Sequence, residues 1–400
     1  MKKNKTLKTI NKVIKVHKKV KRKAKNKANK KNVNNTNNVL GNNMATTISQ
    51  IEDINLLNKS EIINGKSTTI RKNSNKDNVS KRTKVLKGVG IGVGCVASVA
   101  IIESIITAYF YRRTMVRQRA DVKRTIKMAG TDWDQYMDII AQRKKFMLEQ
   151  PHEDMYQTSF DGLNLHATYF PAINDKKNNK RVVICFHGYT SQGLKDFIGL
   201  TDYYFKRGYA MLHPDARAHG ASEGDYVGFG CLDRKDALGW INQIIDKCGE
   251  DVEIYLHGIS MGGATVLMAS GLELPSQVKG IISDCAFTSP KEVFTHVLRS
   301  MYHMPAFPII QGANLLNKKL AGYGTDECNA SREIVNTTIP ILFIHGSGDT
   351  FVPVAMCHKL YDVCGAPKKK LIIEGAAHAE SYFKDMEAYE KALDEFTKEL

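Results

Sequence analysis

Residues 151–400 of this 400-residue chain predict an α/β domain with a mainly parallel sheet flanked by helices, and three observations carry that expectation. Short apolar runs recur at Arg181–Phe186, Ala210–His213, Val252–Leu256, Val278–Ser283, Ile341–Ile344 and Lys370–Ile373, each ending in polar residues or Gly. They are continuous rather than alternating, the pattern of strands buried on both faces. Amphipathic stretches of helical length lie between most of them, as a sheet covered by helices requires. Finally, Gly258-Ile259-Ser260-Met261-Gly262 joins one such run to a helix-like stretch, which demands a tight turn with small residues on both sides of the serine.

The elements ahead of this domain differ in character. Residues 1–87 hold 24 Lys+Arg against 4 Asp+Glu, while the whole chain carries +17, so residues 88–400 sum to −3. The basic excess belongs to the N-terminal segment, and whole-chain charge gives no case for a nucleic-acid partner. Within residues 1–31, Leu7, Ile10, Ile14, His17 and Val20 recur at helical spacing among lysines. That is either a basic amphipathic helix for an anionic membrane surface or a solvated tail. Residues 32–80, rich in Asn, Ser, Thr and Lys, are expected to be disordered. Met44 is a second candidate start, which would leave residues 1–43 untranslated.

Residues 88–111 form a run of 24 residues with one charge, Glu103. As a helix it would extend roughly 36 Å, enough for a hydrocarbon core of about 30 Å, and a single-pass transmembrane helix is expected there. Gly88, Gly90, Gly92 and Gly94 give two overlapping G-x-x-x-G pairs, a pattern through which membrane helices self-associate. Seven Lys/Arg residues flank the run within twenty residues on either side, so the positive-inside rule is tied locally. The lysines further upstream favour an inside N-terminus and an extracellular catalytic domain. The eight cysteines show no disulfide or zinc spacing and read as core thiols, which suit a reducing compartment and pull the other way.

Residues 112–150 read as a charged helical stalk. Tyr156–Phe160 and Leu163–Tyr169 predict a hairpin turning at Asp161-Gly162. Residues 288–338 contain no strand pattern and are expected to form a helical cap between strands six and seven.

A serine at such a turn is inert without a base, and the base must be oriented. Asp349 lies in His345-Gly346-Ser347-Gly348-Asp349 directly after the Ile341–Ile344 run, and His378 lies in Gly375-Ala376-Ala377-His378 after the final run. Both fall on loops beyond strand ends, where active-site groups of open α/β sheets gather. Ser260 is the expected nucleophile, His378 the base and Asp349 its orienting acid, with Asp284 as an alternative acid. His345 and His358 read as structural. The oxyanion donors are expected to be the backbone N–H groups of Met261 and Tyr189, the latter in His187-Gly188-Tyr189-Thr190. Asp215-Ala216-Arg217-Ala218-His219-Gly220-Ala221-Ser222 is expected to be a structural turn beneath the site.

With these motifs in view, residues 150–400 resemble the α/β-hydrolase superfamily. More closely they resemble the serine-aminopeptidase-like and prolyl-oligopeptidase-like hydrolases that low-GC bacteria carry behind one membrane helix. The resemblance implies hydrolysis of an ester, thioester or small amide through an acyl-enzyme, without metal or cofactor and without naming the substrate. Phe294, Val297, Leu298, Met301, Tyr302, Met304, Phe307 and Ile309 in the cap are apolar enough to line an acyl pocket. The competing reading is a non-catalytic scaffold whose basic N-terminus binds anionic membrane or nucleic acid.

Overall fold

The computed structural model describes residues 100–118, 132–173 and 180–399. The chain divides into two compact units, Met1–Ile102 and Glu103–Leu400, and only residues 100–102 of the first are described.

A helix over residues 100–114 (α1) and a short 3₁₀ turn with the following helix Met137–Glu149 (α2) precede the sheet. Then come β1 Glu153–Thr158, β2 Asn164–Phe170, β3 Arg181–Phe186, α3 Thr201–Lys206, β4 Ala210–Pro214, α4 Asp233–Cys248, β5 Glu253–Ile259 and α5 Met261–Ala269. After β6 Val278–Asp284 the chain forms α6 Pro290–Ser300, α7 Ile309–Leu320 and α8 Ala330–Glu333, then β7 Ile341–Gly346. α9 Val354–Val363, β8 Lys368–Ile373, α10 Ser381–Lys384 and α11 Met386–Lys398 complete it. The eight strands form one sheet in the order β1-β2-β4-β3-β5-β6-β7-β8. It is antiparallel at β1, β2 and β4 and parallel from there on.

Alternation within the parallel strands explains their continuous apolarity. Along β3, Val182, Ile184 and Phe186 enter one core layer with α4 and α5, while Val183 and Cys185 enter the other with α3 and α11. β4 and β5 lie on opposite sides of β3, so the strand order reverses there. A crevice opens at the carboxyl ends at such a switch point. The hairpin is shifted from its expected bounds. Ser159 Oγ accepts from Leu163 N at 2.8 Å and Ser159 N donates to Leu163 O at 2.8 Å, so residues 159–163 close as the loop.

Two N-terminal expectations meet the described residues only in part. Residues 88–99 of the expected span lie outside the described residues. Its end, residues 103–111, is packed on the catalytic unit. Thr107, Tyr111 and Met115 recur one helical turn apart and are buried, and Ile106 and Phe110 pack with the cap cluster of Leu298, Met304 and Ile310. One face of this segment therefore packs on protein, while Ile105 and Tyr109 on the other are exposed. Among the described residues no helix is long and apolar enough to cross a membrane. The described parts of the expected stalk are docked too. Met115 O accepts from Val227 N at 2.8 Å and Val116 pairs with Tyr226. In α2, Ile140 and Met147 enter the core on one helical stripe, and Arg143 Nη1 donates to the Tyr382 hydroxyl at 2.5 Å.

Candidate active site

Ser260 joins β5 to α5 with φ +56° and ψ −112°, a backbone region that costs a non-Gly residue on the order of 1–3 kcal/mol. The surroundings hold it there. Ser260 N donates to Asp284 O at 2.8 Å, Ala264 N donates to Ser260 O at 2.9 Å, and every residue of α5 is buried. A Cβ at Gly262 would lie 1.8 Å from Phe186 O, and one at Gly258 2.1 Å from Gly262 O. These two positions must be glycine for β3, β5 and α5 to approach as they do.

The structure brings Ser260, His378 and Asp349 into one hydrogen-bonded chain. His378 Nε2 lies 2.8 Å from Ser260 Oγ, and its Nδ1 lies 2.6 Å from Asp349 Oδ2. All three are nearly excluded from solvent, at 6%, 4% and 5% exposure in that order, which strengthens their mutual electrostatics. Asp349 Oδ1 accepts the N–H groups of Phe351 and Val352, both at 2.9 Å. Burial alone would raise the Asp349 carboxyl, but the His378 charge and the hydrogen bonds from His345 and His378 outweigh it and hold it well below the usual range. This arrangement presents a serine hydroxyl to an imidazole whose other nitrogen is fixed by an ionised carboxylate, the chemistry of an activated nucleophile.

Asp284 occupies a different environment. It accepts from Tyr389 Oη at 3.1 Å and Ser381 Oγ at 3.3 Å, whereas the imidazole of His378 meets Asp349. Burial pushes the Asp284 carboxyl up to about 6. Cys285, Asp349 and His378 have donor atoms within 4.8 Å of one another. Burial pushes the Cys285 thiol well up, so it offers no ready thiolate, and the other two are bonded to each other; the set suits a metal poorly.

Gly188, after β3, lies against the serine, since a Cβ on it would stand 3.3 Å from Ser260 Cβ. Its N–H donates to Asp196 Oδ2 at 2.7 Å, so Gly188 is held by Asp196 and Tyr189 is the next amide along the loop. Met261 N opens α5, at a turn where N–H groups lack intrahelical acceptors. The Tyr189 phenol packs on Phe229 with ring centres 5.1 Å apart and donates to Arg113 O at 3.1 Å.

The Asp215–Ser222 segment is knit together internally. Asp215 accepts from Gly193 N at 2.8 Å and Ala221 N at 2.9 Å, and a Cβ at Gly220 would collide with its carboxylate. Arg217 is buried and pairs in bidentate fashion with Asp236, both bonds at 2.8 Å. His219 Nδ1 meets Arg217 O at 3.0 Å, and burial first, then the neighbouring His187, push the imidazole down to about 3. Exposed His358 on α9 lies 3.2 Å from Lys370 Nζ.

Three features of the site were missing from the sequence reading. His345 Nε2 lies 2.8 Å from Val352 O and 3.3 Å from Asp349 Oδ2, so the acid has a second imidazole neighbour. Burial would lower His345, but hydrogen bonds to Asp349 and Cys357 outweigh it and raise it to about 10. Glu380, buried, accepts from Ala377 N at 2.8 Å and Tyr136 Oη at 3.0 Å, bracing the His378 loop. A cavity of about 110 Å³ beside Ser260 is lined by Phe294, Val297, Leu298, Met301, Tyr302 and Ile309 of the expected acyl pocket, without Met304 and Phe307. Its unforeseen part is the wall made by Phe110, Tyr111 and Met115 of the α1 segment. The Tyr136–Glu380 bond and the α1 wall depend on distant segments meeting, while the His345–Asp349 and Ala377–Glu380 contacts, four and three residues apart, depend on how their loops fold.

Residues 177–326 match the family described as serine aminopeptidase, S33, a stretch that contains Ser260 but neither Asp349 nor His378. An uncharacterized protein of Bacillus subtilis (strain 168), YqkD, is 30% identical over 228 residues, covering 57% of this chain and 73% of YqkD. The uncharacterized protein YfhR of Salmonella typhi is 27% identical over 242 residues, covering 58% of this chain and 75% of YfhR. Among solved structures, the esterase Pf2001 of Pyrococcus furiosus superposes with a TM-score of 0.52 at 19% identity, covering 72% of this chain and 98% of that one, a likeness of fold. On these grounds the chain belongs to the α/β-hydrolases, in one family with YqkD, and resembles serine aminopeptidase S33 over residues 177–326.

Proposed function

We propose that this chain is a serine hydrolase that cleaves an ester, thioester or small amide of an apolar acyl group through an acyl-enzyme, with Ser260, His378 and Asp349 as its triad. The observation that carries the reading is the unbroken hydrogen-bonded chain from Ser260 Oγ through His378 to Asp349, at 2.8 and 2.6 Å.

In the first half-reaction Ser260 Oγ bonds to the acyl carbon while His378 Nε2 takes the hydroxyl proton. Asp349 stabilises the imidazolium, and the N–H groups of Met261 and Tyr189 receive the oxyanion. Collapse breaks the bond to the leaving alcohol, thiol or amine, which takes the proton from His378. Water then attacks the acyl carbon, giving a proton to His378. The bond from that carbon to Ser260 Oγ breaks, His378 returns the proton to Oγ, and the acid leaves. The residues supply nucleophile, base and oxyanion donors themselves, so the mechanism needs no cofactor.

The test of the reaction is labelling of the detergent-solubilised full chain by a fluorophosphonate probe. Labelling that vanishes in Ser260→Ala supports an activated serine. An unlabelled wild type with a cooperative melt overturns it.

A further inference from the structure

The cavity beside Ser260 has a wall that an α/β-hydrolase domain alone does not provide. One side is cap, from α6 and α7, with Phe294, Val297 and Ala313 on the lining. Another part of the wall belongs to α1 and its exit, with Phe110, Tyr111 and Met115. The two sides share a continuous apolar cluster in which Ile106 and Phe110 of α1 pack with Leu298, Met304 and Ile310 of the cap. Phe110 meets Tyr302 edge-on, with ring centres 4.9 Å apart. Tyr302 is itself 40% exposed, so this ring pair stands where the cavity meets solvent.

The chemistry of the lining selects the occupant. Three of its hydroxyls are engaged by protein acceptors: Tyr111 Oη donates to Asn317 at 3.4 Å, Tyr189 Oη to Arg113 O at 3.1 Å and Thr325 Oγ1 to Asn314 at 3.0 Å. Arg113, Thr114 and the phenol of Tyr302 are the remaining polar groups besides the serine. A peptide in this space would leave its own N–H and C=O groups without partners, which is costly away from water. A hydrocarbon chain has no such groups and gains from every methylene it buries. The volume of about 110 Å³, set against roughly 10–15 Å³ for one buried water, gives room for a chain of roughly eight heavy atoms.

We infer that α1 is the specificity wall of the acyl site. The pocket takes a linear, medium-length fatty acyl chain running from Ser260 between α1 and the cap, and the Phe110–Tyr302 pair sets its length. This rests on Ser260 being the acyl acceptor, and it assigns the apolar segment ahead of the fold a part in substrate selection.

The experiment uses the full chain in detergent with p-nitrophenyl esters from acetate to palmitate, alongside octanoate binding to Ser260→Ala followed by thermal shift. Wild type is expected to peak near octanoate. Phe110→Ala and Tyr302→Ala should move the peak to longer chains by two or more carbons. Ala313→Trp, which fills the cavity, should lower the octanoate-to-acetate ratio of kcat/KM at least tenfold. Octanoate should raise the Tm of Ser260→Ala and not that of Ser260→Ala/Ala313→Trp. Chain-length profiles of the variants that superimpose on wild type, or a wild type that prefers acetate, overturn the inference while leaving the triad standing. Loss of fluorophosphonate labelling with octanoate stabilisation retained would sink the triad and spare the pocket.

Discussion

The phenol of Tyr189 donates a 3.1 Å hydrogen bond to the main-chain carbonyl of Arg113, tying the loop after β3 to the last turn of α1. The residue whose amide is assigned to the oxyanion thus also anchors the helix that walls the cavity. Tyr189→Phe keeps the amide and the ring but deletes this bond. The expected result is a loss of about 1 kcal/mol of stability and a raised KM for octanoate esters, read from thermal melts and steady-state kinetics. An unchanged KM would show that the α1 wall does not depend on this tether.

Asp349→Asn should lower kcat about 10⁴-fold while the protein remains folded, because the amide cannot stabilise the imidazolium or enforce its tautomer. Stopped fluorophosphonate labelling of wild type and variant measures it. His345 contacts the same carboxylate from a buried position 3.3 Å away and is not among the residues lining the cavity beside Ser260, so His345→Gln should cost far less. Equal losses in the two variants would contradict the assignment of roles.

Glu380 acts on the reaction only through the His378 loop. Glu380→Ala leaves the buried Ala377 amide without its acceptor, at about 1–3 kcal/mol, and should lower kcat with little change in KM. Glu380→Gln, which retains an acceptor oxygen, should restore most of the loss. A rise in KM alone would place the effect elsewhere.

Buried carboxyls give the pH dependence opposite signs. Asp349, held low, contributes stability that is complete above the usual carboxylate range and is lost on acidification through and below it. Asp284, pushed by burial from 3.8 up to about 6, is favoured in its protonated form, so its contribution is present below about pH 4 and lost as pH rises through 6. That shift amounts to on the order of 3 kcal/mol. Burial depresses His213 to about 4 and His257 to about 3, which favours stability at higher pH over the same window. The informative quantity is therefore the difference from Asp284→Asn. Denaturant melts should show the variant gaining on wild type as pH rises from 4 to 7, and a constant difference would refute the shift.

Gly262→Ala should abolish soluble expression, because its Cβ would stand 1.8 Å from the Phe186 carbonyl oxygen at the junction of β3 and α5. Solubility and melting of the purified variant check it. A folded Gly262→Ala protein would mean that α5 can move away from the sheet.

Strands, the Gly258–Gly262 turn and the candidate triad were legible because each is encoded locally. Apolar runs mark strands buried on both faces, and small residues mark where backbones nearly touch, as at Gly258 and Gly262. Ser260, Asp349 and His378 could be picked out because each follows a strand, and strand ends are where such a sheet gathers its chemistry. The fate of residues 103–111 was not legible. Hydropathy measures transfer out of water and does not distinguish lipid from a protein cap, so a helix packed on Leu298 and Ile310 reads like the end of a membrane span. Only the tertiary structure decided that this helix walls the cavity, that Asp349 has two imidazole neighbours and that Glu380 braces the His378 loop. The α1 contacts and the Tyr136–Glu380 bond join segments far apart in the chain. The His345–Asp349 and Ala377–Glu380 contacts depend on how two loops fold, and the geometry of all of them is set by how the layers close on the sheet.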